Sequence, residues 1–171
     1  PNRRRRQKRI RDRCLSFSHN GMYLAVAAIS SASPSSGHNI GFNPHDASYP
    51  IRIYSVLSGD RVASLEGHQD LVYELNWSLD DDNLVSESSD GSVRIWMFLG
   101  DGSVRPSSVF LHPSYVYTAA FNPKAKSPRM VATGGYDGTI RLWEYDAYRK
   151  NGTGSQDVAG CDLAGHKAAV N

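Results

Sequence analysis

The sequence predicts an all-β fold built from repeated units of four short antiparallel strands. Three observations carry that expectation. A 13-residue pattern occurs twice, as LVSESSDGSVRIW over 84–96 and VATGGYDGTIRLW over 131–143. Its Asp and Trp recur 47 residues apart, Asp90 to Asp137 and Trp96 to Trp143. Short runs rich in β-branched and aromatic residues alternate with turn residues, and the Asp-Gly pairs at 90–91 and 137–138 stand between two such runs, the mark of a tight hairpin. No window of useful length has helical periodicity.

The elements follow in chain order. Residues 1–13 form a basic arm, with eight Lys or Arg and one acid between Arg3 and Arg13. The rest of the chain holds 11 basic against 16 acidic residues, a net of −5. An arm of this kind attracts RNA, anionic lipid or an importer. No aromatics are interleaved to stack on bases, so a solvated linker is favoured over nucleic-acid binding. A degenerate unit spans 14–66: LSFSHNG and YLAVAA read as two strands, 30–48 as a long Ser/Gly/Pro-rich loop, and IRIY over 51–54 matches VRIW and IRLW. A second unit spans 67–111 and a third 112–163, with a loop over 146–156. In these two units a histidine precedes an apolar series at the same offsets: His68 leads to Val72, Leu75 and Trp77, and His112 to Val116, Ala119 and Phe121. Residues 164–171 repeat the opening, with His166 and Val170, and start a further unit.

These motifs resemble the WD40-repeat family, whose marks are a Gly-His pair, an Asp in a hairpin and a closing Trp-Asp. The closing Asp is replaced here by Met97 and Glu144. The resemblance implies a β-propeller fragment: three four-stranded antiparallel blades and the start of a fourth. It also implies that each blade is pinned by a hydrogen-bonded tetrad of His, Ser or Thr, Asp and Trp. That maps to His68, Ser86, Asp90 and Trp96 in the second unit, and to His112, Thr133, Asp137 and Trp143 in the third. Ser86 is preferred to Ser88 because the third unit has Gly135 at the latter position. Such buried groups must satisfy one another or cost about 1–3 kcal/mol each. The first unit lacks the set: Tyr54 replaces Trp, Ser48 stands where Asp would be, and no His precedes Leu15. That blade is expected to be looser and held by Phe17, Leu24, Val26 and Ile53.

Composition excludes several function classes. With 171 residues and 40% hydrophobic content the chain has material for one packed core. No apolar stretch approaches the ~18–20 residues of a membrane span. Cys14 and Cys161 make neither a disulfide framework nor a metal set, which favours a reducing compartment. A Ser, His and Asp invite a triad reading. Their repetition at one spacing in adjacent units argues instead for a structural role, so no enzyme activity, catalytic residue, cofactor or metal is expected. His38 and His45 share the long loop without ligand spacing, and GGYDG over 134–138 precedes a strand and lacks a phosphate loop's Lys. Asp80, Asp81 and Asp82 read as a solvated hairpin tip and not a calcium site.

Function is then expected on exposed loops carried by rigid blades. The turn after each His and the hairpin bearing each Asp share one end of the blade. That end presents Asp70, Ser89, Ser114, Tyr115, Tyr136 and Gln69 as partner-binding candidates, the tyrosines foremost. The expected activity is a protein–protein interaction scaffold. The runs YPIRIYSVLSG and HPSYVYTAAFNP are similar to propellers of ciliary basal-body scaffolds, which implies a cytoplasmic protein of cilium assembly; an RNA-associated or nuclear propeller tethered by the arm is the competing reading. Three units fall short of the ~4–8 blades of a closed ring, so further blades of a longer parent chain are expected to cover the open faces.

Overall fold

A computed structural model describes residues 11–31, 47–99, 101–124, 129–145 and 161–163. They form three antiparallel sheets, each a blade. In the first, β1 (Arg11–Phe17), β2 (Tyr23–Ser31), β4 (Ile51–Ser55) and β5 (Arg61–Leu65) lie in that order, with the short β3 (Ala47–Ser48) paired to β2. The second runs β6 (Val72–Trp77), β7 (Asn83–Ser88), β8 (Ser92–Phe98), β9 (Val104–Leu111). The third runs β10 (Val116–Phe121), β11 (Arg129–Gly135), β12 (Ile140–Tyr145), β13 (Cys161–Leu163). Most consecutive strands of a sheet are neighbours because turns of three to seven residues join them; only β2 to β4 and β12 to β13 are linked by longer segments. Gly91 and Gly138 take φ of 79° and 71° in the two Asp-Gly hairpins, where a side chain would be strained.

Register superimposes the blades. Phe17, Leu24 and Tyr54 pair across the first sheet as Trp77, Leu84 and Trp96 do across the second, and as Phe121, Val131 and Trp143 do across the third. In the second and third blades this row faces the preceding blade. At the first seam Ala25, Ala27, Ile51, Ile53 and Leu65 pack on Val72, Leu75, Trp77, Leu84 and Trp96. Trp77 stacks with Tyr23 and Phe98, and its Nε1 donates to Ser16 O at 3.2 Å. At the second seam Val85, Val93, Ile95 and Phe110 pack on Val116, Ala119 and Val131. Phe110 stacks on Trp143 at 4.9 Å, and Asn76 Nδ2 donates to Ala119 O at 3.0 Å.

Four expectations change. Arg11–Arg13 belong to β1, so the arm ends earlier than expected, and its residues 1–10 lie outside the described residues. The loop drawn over 30–48 gives up both ends to strand pairing, Ser30 with Ser48 and Ser31 with Ala47. The first blade is not held by Phe17, Leu24 and Val26. Only Ile53 of that set is in the core, while the other three line an open groove, because no described blade covers the face they share. The acidic hairpin is a solvated tip only in part: Asp80 and Asp82 are exposed, and Asp81 is not. Asp81 has φ 59° and a side chain only 9% exposed. Its carboxylate accepts the N–H groups of His19 and Asn20 at 2.7 and 2.8 Å and meets His19 Nδ1 at 3.1 Å. Asp80 reaches Arg129 of the third blade at 3.6 Å. One hairpin therefore ties the second blade to both its neighbours. The unit expected over 164–171 lies outside the described residues.

Candidate interaction surface

In the second blade two strands and two turns converge on one polar chain. Trp96 Nε1 donates to Ser86 Oγ at 2.9 Å, and Ser86 Oγ meets His68 Nε2 at 2.8 Å. His68 Nδ1 meets Asp90 Oδ2 at 3.0 Å. A carboxylate only accepts, which assigns the proton to Nδ1 and makes Nε2 the acceptor of the serine hydroxyl. Asp90 also accepts from Gln69 N, Ser92 N and Ser92 Oγ at 2.9, 2.8 and 2.6 Å. Burial alone would raise the Asp90 carboxyl; the hydrogen bonds from His68 and Ser92, the electrostatic effect of the imidazole and the Gln69 amide outweigh it and hold the group well below the usual carboxylate range. Ser88 is engaged elsewhere, its Oγ donating to Asp70 O at 3.2 Å.

The third blade repeats the Trp, Thr and His part of this chain. Trp143 Nε1 donates to Thr133 Oγ1 at 2.8 Å, and Thr133 Oγ1 meets His112 Nε2 at 2.8 Å. Asp137 is drawn to Arg141, whose Nη1 lies 2.7 Å from Oδ2, and it accepts from Thr139 N at 3.1 Å. Burial raises the Asp137 carboxyl and the Thr139 and Arg141 bonds, with the Arg141 and His112 charges, lower it more. Sequence reasoning missed Ser92. The signal was present, since Ser92 and Thr139 each follow the Asp-Gly pair.

These chains shape the end of the blades that carries the partner-binding candidates. Gln69 is exposed, while Asp70, Ser89 and Ser114 are half-buried. Asp70 Oδ1 accepts Leu71 N at 2.7 Å, and Ser89 Oγ donates to Leu71 O at 3.4 Å. Tyr115 and Tyr136 are 48% and 61% exposed and meet edge to face, ring centroids 6.1 Å apart. The structure thus brings the two tyrosines together and leaves the polar candidates bound into their own loops. It also adds two aromatics absent from the sequence-based set. Tyr73 on β6 and Tyr117 on β10 meet at 5.2 Å, each standing five residues after a tetrad histidine. No group of three metal-ligating side chains occurs among the described residues, and no described helix is long and apolar enough to cross a membrane.

Comparison with known proteins agrees with this geometry. The family model described as WD domain, G-beta repeat, matches residues 59–97 and 101–144. Each match begins just before the outer strand of one blade and ends one residue past the Trp of the next, so the sequence repeat straddles two sheets. Jouberin of Rattus norvegicus is 41% identical over 137 residues, 78% of this chain and 11% of that protein, and jouberin of Mus musculus gives the same values. WD repeat and SOCS box-containing protein 1 of Takifugu rubripes is 31% identical over 57% of the chain and 22% of its own length. The guanine nucleotide-binding protein subunit beta of Oryza sativa subsp. indica is 32% identical over 63% of the chain and 27% of its own length. The chain therefore spans only a small part of these relatives. The twice-matched repeat, the all-β blades and the similarity to jouberin establish that this chain belongs to the WD40-repeat family of β-propellers.

Proposed function

We infer that the chain acts as a non-enzymatic scaffold that binds other proteins through the loop end bearing Gln69, Asp70, Ser89, Ser114, Tyr115 and Tyr136. The observation that carries this reading is the exposed pair Tyr115 and Tyr136, two large aromatics left in solvent on a rigid blade. Tyrosine combines area, a polar tip and low conformational entropy, which is why it dominates binding hot spots. The His, Ser or Thr, Asp and Trp groups act in this reading as pins that hold the loops, and not as catalysts. Similarity to jouberin supports the finer assignment to cilium assembly at the basal body. Further blades of a longer parent chain would be the remaining structural partner.

The test is affinity capture from ciliated cells with the tagged chain and a Tyr115→Ala/Tyr136→Ala double variant, together with imaging of both. A discrete set of proteins retained by the unaltered chain and lost by the variant, with the tag at the ciliary base, is the expected result. Identical captured proteins for both would overturn the placement of the surface; a diffuse tag with partner loss intact would overturn only the ciliary assignment.

A further inference from the structure

Four tyrosines of the second and third blades form one patch. Tyr73 and Tyr117 meet across the neighbouring strands β6 and β10, and Tyr115 and Tyr136 meet at the end of the third blade. The pairs adjoin, because Tyr115 and Tyr117 stand two residues apart where the chain enters β10. Backbone holds the outer pair in place. Tyr136 N donates to Tyr115 O at 2.9 Å, and the approach is so close that a Cβ on Gly135 would stand 2.4 Å from that oxygen. In the second blade the same bond joins Ser89 N to Leu71 O at 2.9 Å. The blade thus needs the bond at this position and not the rings. The tyrosines are an addition to the repeat.

The surroundings are acidic. Residues 66–71, 89–91, 112–115 and 136–139, the turns at this end, contain Glu66, Asp70, Asp90 and Asp137 and neither lysine nor arginine, although the guanidinium groups of Arg94 and Arg141 reach in from the strands to Gly67 and Asp137. Asp90 is spent on the His68 chain and Asp137 faces Arg141, whereas Asp70 takes only the Leu71 N–H among the described residues. Electron-rich ring faces beside carboxylates recognise a flat cation. A guanidinium suits them better than an ammonium, because it stacks on a ring while its edge N–H groups reach a carboxylate, and it is less strongly hydrated. An acidic or phosphorylated segment would be repelled.

We propose that the Tyr73, Tyr115, Tyr117 and Tyr136 patch binds an extended, arginine-bearing peptide segment of a partner protein, its guanidinium on the exposed rings and its charge facing Asp70. The assignment rests on the scaffold reading above and names the partner's chemistry. The test titrates the 171-residue chain into fluorescein-labelled Gly/Ser peptides spaced with arginine, with lysine, or with citrulline, and into a proline-rich peptide. The arginine peptide binds, the citrulline peptide, which keeps the shape and loses the charge, binds at least about tenfold more weakly, and binding weakens from about 50 to about 500 mM salt. Tyr115→Ala and Tyr136→Ala each weaken it about tenfold while circular dichroism is unchanged, Tyr136→Phe stays within about threefold, and Asp70→Asn weakens it several-fold.

Equal binding of the arginine and citrulline peptides overturns the proposal. So does arginine binding that ignores both Tyr→Ala changes. If no peptide binds but partner capture still depends on Tyr115 and Tyr136, the arginine assignment falls and the scaffold reading stands. If capture is also unaffected, both fall.

Discussion

Asp90 and Glu87 stand three residues apart on one hairpin and respond to pH in opposite directions. Asp90 is held ionised by its donors, so its folded-state carboxyl lies below the unfolded one. Its stabilisation is present above the ordinary carboxylate value of about 4 and is lost as pH falls through the lower folded value. Asp90→Asn should cost about 1.5–3 kcal/mol near neutrality, and thermal melts should show the gap to the unaltered chain closing below about pH 4. Glu87 is fully buried on the side of β7 that carries Val85, opposite Glu74 in register, and neither carboxylate oxygen has a hydrogen-bond partner among the described residues. Burial foremost, then the charge of Glu74, pushes its carboxyl well above the ordinary value. The folded state thus holds the proton after the unfolded state has lost it, so stability falls as pH rises above about 4.5 toward the folded value. Glu87→Gln, which does not titrate, should gain stability relative to the unaltered chain between pH 5 and pH 8, by several degrees in Tm. A constant difference across that range would show that Glu87 ionises normally in the fold.

At the scale of the element, the hairpin between β6 and β7 matters more than its exposed sequence suggests. Asp81 pairs a left-handed backbone with a carboxylate that satisfies two N–H groups of the preceding blade's turn. Asp81→Ala removes both acceptors and leaves an alanine in a conformation costing about 1–2 kcal/mol. The expected loss is about 2–3 kcal/mol in denaturant melts, with faster amide exchange at His19 and Asn20. Asp81→Asn, which tolerates the same backbone and keeps a carbonyl oxygen, should lose less than half of that. Equal losses for the two would mean that charge, and not backbone fit, holds the seam.

For the whole molecule, the open face of the first blade is the dominant feature. Phe17 is 57% and Leu15 62% exposed, and Phe17, Leu24, Val26, Arg52, Tyr54 and Val56 line a groove of about 500 Å³. The register-equivalent Trp77 is buried in a seam because a blade precedes it. Such an apolar patch binds other apolar surface. Phe17→Asp should therefore lower dye binding and self-association in sedimentation velocity with less than about 1 kcal/mol change in stability. Trp77→Asp should unfold the first seam, at a cost above about 4 kcal/mol. Self-association unchanged by Phe17→Asp would mean that another surface drives it.

Strand order and hairpin placement were legible in the sequence because they obey short-range rules. A side-chain period of two, an Asp-Gly turn and a repeat of 47 residues need no knowledge of the neighbouring blade. What only the tertiary structure decided lies at the seams. The same row position is core in Trp77 and solvent in Phe17, and Asp81 closes a gap that its own hairpin cannot show. Each depends on which surface stands opposite, a contact between residues tens of positions apart. Local pattern specifies the blade; burial against the next blade specifies what each of its residues does.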